Sequence, residues 1–362
     1  MARKAGARKT VLVAGAHGLI GRTLIEQLEG DPDVDVIGLG RRGAAIGARA
    51  RIVAVDLLDP ADCAAKLGGL SAVTHIVFAA WTPRDSRAAE VAPNLAMLRH
   101  LMEAVAPIAP GLAHVTLLQG GKAYGSHLGG FITPALETDP RHMPPNFYYN
   151  QADYLEGLRA RTPQWAGWAW TVFRPTVVYG LAIGNPMNVT TVIGAYAAIS
   201  RELGLPMRFP GSPKAYAVLN QGADAGLIGR AILWAGEAER ARNQVYNITN
   251  GDLFRWSRMW PHIARNFGMD TAEPQRFPLA EFMADKEALW TGMVARYGLQ
   301  QTPYRDVVGW PFGEFVLQRE FDHVLDTTKL RDHGFDGYDS TYRMFDRQFE
   351  QLRRERIIPG LT

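Results

Sequence analysis

Two kinds of side chain in this sequence could take part in proton chemistry: an amine set among glycines, and a pair of adjacent phenols. Lys122 lies in Gly120-Gly121-Lys122-Ala123-Tyr124-Gly125, directly after the apolar run from His114 to Gln119. Tyr148 and Tyr149 follow in Asn146-Phe147-Tyr148-Tyr149-Asn150-Gln151-Ala152-Asp153-Tyr154. A free phenol titrates at about 10, and an ammonium beside it favours the ionised form. A lysine between glycines at the carboxyl end of a central strand is placed to tune such a phenol, to orient a ligand, or to do both. Either tyrosine could equally be a buried aromatic with a satisfied hydroxyl, and the residues alone do not choose between them. Cys63 is the single cysteine and has no companion for a disulfide or a metal cluster, so it reads as a small buried apolar residue and no metal is expected.

The elements that must position these groups begin at Val11-Leu12-Val13-Ala14-Gly15-Ala16-His17-Gly18-Leu19-Ile20-Gly21. An apolar strand runs into a G-x-x-G-x-x-G turn, after which Ile20, Leu24, Ile25 and Leu28 recur at helical spacing. Glycines at the turn allow a pyrophosphate to approach the backbone N–H groups at the positive end of the helix. Gly15, His17, Gly18, Leu19, Ile20 and Gly21 are therefore candidate dinucleotide contacts. The second strand, Val34 to Gly40, ends in Arg41-Arg42 where an NAD site would carry an acid. Two guanidiniums without a carboxylate suit a 2'-phosphate, so NADP(H) is the expected cofactor.

The alternation of strand and helix continues. Arg51 to Leu58 reads as a third strand, with Asp56 and Leu57 placed by the adenine, and His75 to Ala80 as a fourth, ending at Trp81. His114 to Gln119 is the fifth, Arg174 to Gly180 the sixth, and Gln244 to Ile248 a further strand. Ala79, Trp81, Gln119 and Val177 complete the expected cofactor contacts. Such a chain forms an α/β fold, a Rossmann-type doubly wound parallel sheet with ligand at the carboxyl ends of its strands, followed by a smaller, mostly helical C-terminal substrate domain. Residues 1–180 are expected to form the cofactor domain, with 215–250 returning to it, and 181–214 with 251–362 to form the substrate region. There Trp81, Met187, Asn188, Tyr216 and Phe312 are the substrate-contact candidates. The segments around 273–280 and 300–313 read as looser.

The 362 residues are 47% hydrophobic with a net charge of only +3, enough for a large core and little to attract nucleic acid. The basic start from Met1 to Lys9 reads as a solvated tail, as does the basic stretch Gln351 to Arg356. No apolar run approaches the ~18 residues of a membrane span, and the start lacks a signal-peptide pattern, so a cytoplasmic location is expected. A homodimer is left open.

With these residues in place the chain resembles the extended short-chain dehydrogenase/reductase superfamily, with departures at the chemically important positions. That superfamily carries a Ser or Thr four residues before a Tyr-Gly pair, a place held here by Gly120, and a Tyr-x-x-x-Lys in which setting Tyr149 on the tyrosine puts Asp153 on the lysine. The lysine stands instead at Lys122. The exchange is similar to that of the progesterone 5β-reductase/iridoid synthase-like family, which Pro186-Met187-Asn188, Met207-Arg208-Phe209-Pro210-Gly211, Trp310-Pro311-Phe312 and Lys329-Leu330-Arg331-Asp332-His333-Gly334-Phe335 also resemble.

The resemblance implies an NADPH-dependent ene-reductase acting on the C=C bond of α,β-unsaturated carbonyl compounds, with Tyr149 and Lys122 as its catalytic pair and Phe312 lining a pocket for an apolar enone. Hydride added to the β-carbon pushes charge onto the carbonyl oxygen, and a phenol can hold that enolate. The alternatives are a carbonyl reductase or a sugar-nucleotide epimerase or dehydratase on the same fold, and a non-enzymatic NADP-sensing protein.

Overall fold

The computed structural model describes residues 8–162 and 167–361. The expected basic tail from Met1 to Ala7 lies outside them, whereas Arg8 donates to both carboxylate oxygens of Asp35 at 2.6 Å and Lys9 pairs with Glu237 as the first strand begins. In chain order the first half comprises β1 (Lys9–Ala14), α1 (Leu19–Leu28), β2 (Val34–Gly40), β3 (Arg51–Ala54), α2 (Pro60–Leu67), β4 (His75–Phe78), α3 (Arg87–Val105), β5 (His114–Leu118), α4 (Phe147–Arg161) and β6 (Ala169–Pro175). With the strand Gln244–Ile248 these form one seven-stranded parallel sheet in the order Gln244–Ile248, β6, β5, β4, β1, β2, β3. Strand order reverses between β1 and β4, the place where such sheets open a ligand crevice.

Alternation along β1 shows why the sheet is covered on both faces. Leu12 and Ala14 pack with Leu98, Leu101 and Met102 of α3 and Leu155 of α4, whereas Val11 and Val13 pack with Leu24 and Ile25 of α1 and with the helix Ala225–Ala235. α1 buries Leu24, Ile25 and Leu28 at helical spacing, and α2 starts at Pro60 under an Asp59 cap. A third core joins β7 (Val177–Tyr179) and α5 (Val189–Glu202) to the later helices, around Trp256, Trp260, Trp290, Phe345 and Phe349. α5 is buried all round from Val189 to Ser200, as a helix inside a core must be.

Several boundaries differ from the sequence reading. The sixth strand of the sheet is Ala169–Pro175; the chain then bends at Thr176, and β7 pairs with Gly222–Asp224 in a separate two-stranded sheet. The third strand stops at Ala54 because the carboxylates of Asp56 and Asp62 take the N–H groups of Leu58 and Asp56 into a turn. Residues 300–313 are largely helical, in Tyr304–Val307 and Trp310–Leu317, with Pro303 before one and Pro311 in the first turn of the other. The C-terminal basic stretch is more than a solvated face, since Leu352 is buried and the Arg353 guanidinium lies 5.0 Å over the Phe267 ring while donating to the Asn266 carbonyl.

Among the described residues no helix is long and apolar enough to cross a membrane, and no cluster of His, Cys, Asp or Glu could hold a metal ion. Cys63 is buried, and its thiol is pushed up to about 11, first by burial and then by Asp62, so it carries no nucleophile at neutral pH.

Burial holds three imidazoles neutral: His114 is lowered to about 3, His127 to about 4, and His323 well below its ordinary value. Above the ordinary 6.5 both folded and unfolded chains carry these rings neutral; below it only the unfolded chain takes the protons. Their contribution is therefore fully present above 6.5 and is lost as pH falls toward the folded values. Thermal unfolding is expected to show a Tm level between about pH 7 and 8 that declines toward pH 5, where His114 alone removes up to about 2 kcal/mol. An undiminished Tm at about pH 5 would contradict the assignment.

Candidate active site

The carboxyl ends of β1, β4 and β5 open into a cleft of about 1170 Å³, counting its mouth. Gly15 is not itself in the cleft lining; it makes the turn behind it, with φ of +84°, where a Cβ would lie 2.7 Å from the Ala79 carbonyl carbon. A Cβ on Gly21 would lie 2.2 Å from the Gly15 carbonyl oxygen, so only glycine lets α1 close on the turn. α1 starts after Gly18 with no side-chain cap and no acid in its first turn. Its free N–H groups and helix dipole face the cleft lined by Gly18, Leu19, Ile20 and Gly21, which fits an anionic pyrophosphate. Ala79, Trp81, Gln119 and Val177 line the same cleft.

Beyond the turn the expected cofactor residues divide. His17 does not line the cleft; its ring is hydrogen-bonded to the Ala44 carbonyl at 2.9 Å and braces the loop after β2. Arg41 and Arg42 are exposed on that loop, and neither has an ion pair or hydrogen bond among the described residues. The Asp56 carboxylate accepts from the Leu58 N–H at 3.0 Å and Leu57 is buried in the core, so neither reaches the cleft.

Lys122 sits on a single 3₁₀ turn, Gly121–Tyr124, that follows β5. Three side chains from the start of α4 and the loop before it hold this turn. Asn146 caps α4 by accepting from the Tyr148 N–H at 3.1 Å, and its amide donates to the Lys122 carbonyl at 2.9 Å. The His142 ring is hydrogen-bonded to that carbonyl at 2.9 Å, and the Tyr149 hydroxyl donates to the Ala123 carbonyl at 2.9 Å. The Lys122 ammonium is thereby set over Trp81, 5.6 Å from the ring centroid. Burial lowers its pKa, with Arg87 lowering it further and Glu90 opposing.

The two tyrosines have different surroundings. Tyr148 lines the cleft with Lys122 and Gly120, and its hydroxyl would lie 3.5 Å from a Cβ on Gly120. Tyr149 is buried outside the cleft, its hydroxyl donating to Ala123 and accepting from the His142 N–H at 3.2 Å, with Arg141 4.9 Å over its ring. The phenol that shares the cleft with Lys122 is thus Tyr148, where the superfamily spacing points to Tyr149. Burial raises the pKa of Tyr148, with Glu90 adding to the rise and Arg87 opposing it. Asp153 is exposed and paired with Arg141 at 2.6 and 2.9 Å. Contact at the ordinary 3.5 Å means that Gly120 lacks its hydroxyl by sequence, without packing demanding it.

Met187 and Phe312 also line the cleft. Asn188 does not: it is fully buried, and its side chain caps α5 by accepting from Thr191 at 3.3 Å. Tyr216 packs against Phe209, 4.9 Å between ring centroids, away from the cleft. Ser126, Asn185, Phe315, Arg319 and His323 line it without having been singled out in the sequence. Of these only Ser126, just past the Lys122 turn, carried a local signal. His323 reaches the site from the far end of the chain, hydrogen-bonded to Thr176 at 2.9 Å.

Comparison with known proteins agrees with this architecture. The UDP-glucose 4-epimerase of Thermotoga maritima superposes with a TM-score of 0.67 at 17% identity, covering 95% of this chain and 99% of that one; the Thermus thermophilus epimerase gives 0.63 at 18%, covering 95% and 99%. Likeness at that identity concerns the fold. Sequence relatives include an (S)-8-oxocitronellyl enol synthase of Nepeta racemosa, 32% identical over 96% of this chain and 91% of that protein. A 3-oxo-Delta(4,5)-steroid 5-beta-reductase of Arabidopsis thaliana is 31% identical, covering 96% and 92%. A short chain dehydrogenase of Penicillium aethiopicum is 30% identical, covering 97% and 99%. The model of the PRISE-like Rossmann-fold domain matches residues 54–359, and with relatives of this identity over nearly its whole length the chain belongs to the PRISE-like family.

Proposed function

We propose that this protein is an NADPH-dependent ene-reductase that reduces the C=C bond of α,β-unsaturated carbonyl compounds. The reading is carried by one observation: Tyr148 and Lys122 both line a largely apolar cleft that opens onto the glycine turn, with Tyr148 facing a Gly120 that supplies no hydroxyl. Curated relatives named as enol synthases and a steroid 5-beta-reductase support the same class.

The turn from Gly15 to Gly21 would hold the pyrophosphate, and exposed Arg41 and Arg42 the 2'-phosphate. The nicotinamide, when bound, supplies hydride. Tyr148 stays protonated because burial raises its pKa, so it serves as a hydrogen-bond donor to the substrate carbonyl oxygen and holds the negative charge that gathers there as the β-carbon is reduced. Lys122 adds positive charge at the same end of the cleft and orients the cofactor ribose. With no hydroxyl on Gly120, and with Ala152 rather than a lysine one turn along α4 from Tyr148, no proton relay feeds Tyr148 from the helix. That suits conjugate reduction, in which the α-carbon can take its proton later while the enolate is held.

The test is NADPH consumption with a cyclic enone and with the matching saturated ketone. Turnover of the enone supports the reading, and turnover of the ketone alone overturns it in favour of a carbonyl reductase. For the cofactor, Arg41→Ala is expected to weaken NADPH by about 10- to 100-fold and to leave NADH nearly unchanged, as loss of a charge-assisted hydrogen bond to one phosphate requires. Fluorescence titration of both cofactors reads this, and equal losses would remove the 2'-phosphate role.

A further inference from the structure

The cleft contains a cation that neither the cofactor nor the reacting carbonyl accounts for. Arg319 is 7% exposed and lines the cleft together with Met187, Phe312, Phe315 and His323. Its guanidinium has no hydrogen bond and no ion pair among the described residues, and its buried Nε is without a partner. Two rings hold it in place, with the Phe315 centroid at 5.5 Å and the Phe321 centroid at 5.7 Å.

The acids that flank it in the chain are engaged elsewhere. Glu320 accepts from the Ser212 hydroxyl at 2.7 Å, Asp322 from the Leu219 N–H at 2.8 Å, and Glu314 from the Ala280 N–H at 2.8 Å. His323 offers no negative charge either, since burial keeps it neutral. Burial lowers even the guanidinium, to about 10, with the Tyr179 phenol opposing. A buried charge with nothing to pair with is costly to the fold, and a protein interior keeps such a group satisfied by an internal partner or by something that binds.

We propose that Arg319 is the anchor for a carboxylate on the substrate, so that the preferred substrate is an enone acid whose acid group is separate from the reacting C=C–C=O unit. The assignment rests on the ene-reductase reading and names its substrate class. A carboxylate matches a guanidinium edge in a two-pronged, charge-assisted pair, and in a site walled by aromatic rings that pair is weakly screened. Lys122 and Tyr148 would take the enone oxygen and Arg319, lining the same cleft, the acid, which would fix the substrate at two points and present one face of its alkene. A neutral ester would leave the guanidinium unpaired and lose the second point.

The experiment uses the full chain with a homologous series of linear methyl-ketone enones ending in a carboxylate, each compared with its methyl ester. In the wild type, kcat/KM for the acid of best-matched length is expected to exceed that of its ester by at least about 10-fold, the value of one charge-assisted hydrogen bond. Arg319→Met and Arg319→Gln should bring the acid-to-ester ratio of kcat/KM down to about 1, and Arg319→Lys should retain part of it. Equal turnover of acids and esters in the wild type, or a preference that survives Arg319→Met, overturns the proposal. Binding gives a second readout, independent of turnover: with NADP present, the saturated keto acids should raise the Tm of the wild type, their esters should not, and Arg319→Met should lose the effect. If no enone consumes NADPH but this Tm shift appears, the ene-reductase reading fails and the anion site stands; if neutral enones are reduced and no acid shifts the Tm, the anion site fails alone.

Discussion

Tyr148→Phe is expected to lower kcat on an enone by about 10²- to 10³-fold while leaving NADPH affinity unchanged, because it deletes one donor aimed at the developing oxyanion and little else. The Tyr148 hydroxyl has no hydrogen-bond partner among the described residues, so its removal strands nothing. Tyr149→Phe is the informative companion. It removes the donor to the Ala123 carbonyl and the acceptor of the His142 N–H, a structural loss of about 1–2 kcal/mol that should appear in the Tm, with kcat reduced far less. Steady-state kinetics beside thermal unfolding separates the two residues. Full activity in Tyr148→Phe together with collapse of turnover in Tyr149→Phe would reverse the assignment.

Gly21→Ala is expected to produce the largest loss of cofactor. The added Cβ would fall 2.2 Å from the Gly15 carbonyl oxygen and 3.1 Å from the Ala16 Cα, both backbone atoms that cannot rotate aside. The start of α1 must retreat from the turn, and the N–H groups that face the pyrophosphate retreat with it. Losing two charge-assisted backbone hydrogen bonds corresponds to a drop in NADPH affinity of about 100-fold or more. The strained packing costs about 1–3 kcal/mol in addition. At Gly18 the same methyl group would meet the Gly15 oxygen at 3.2 Å, so Gly18→Ala should be much milder. Fluorescence titration with NADPH orders the two variants, and equal affinities would show that the turn does not depend on the closeness of Gly21.

The parts of this protein that were legible in its sequence are those in which neighbours in the chain are neighbours in space. The glycine turn is local, and the strand before it and the helix after it are fixed by their apolar spacing. The Lys122 turn was legible for the same reason. Tyr148 and Tyr149 were not separable, because consecutive helical residues point about 100° apart and the helix is apolar enough to bury either. What decided was Asn146, whose cap sets the first turn of α4, and the Lys122 turn, which takes up the Tyr149 hydroxyl. Asn188 reads as a pocket residue from its loop, yet a helix cap carries the same residue type in the same kind of place. Arg319 and His323 gave no sign, since nothing beside them in the chain marks their meeting with Thr176 and Phe312 across the cleft.

The pinning of the Lys122 turn to α4 also bears on how the protein could open. Lys122 and Tyr148 are joined through Asn146, whose amide grips the Lys122 carbonyl and whose side-chain oxygen takes the Tyr148 N–H. Met187, Phe312 and Arg319 come from segments beyond the sheet. Movement of those segments would leave the amine and the phenol at their mutual spacing, because one side chain holds both.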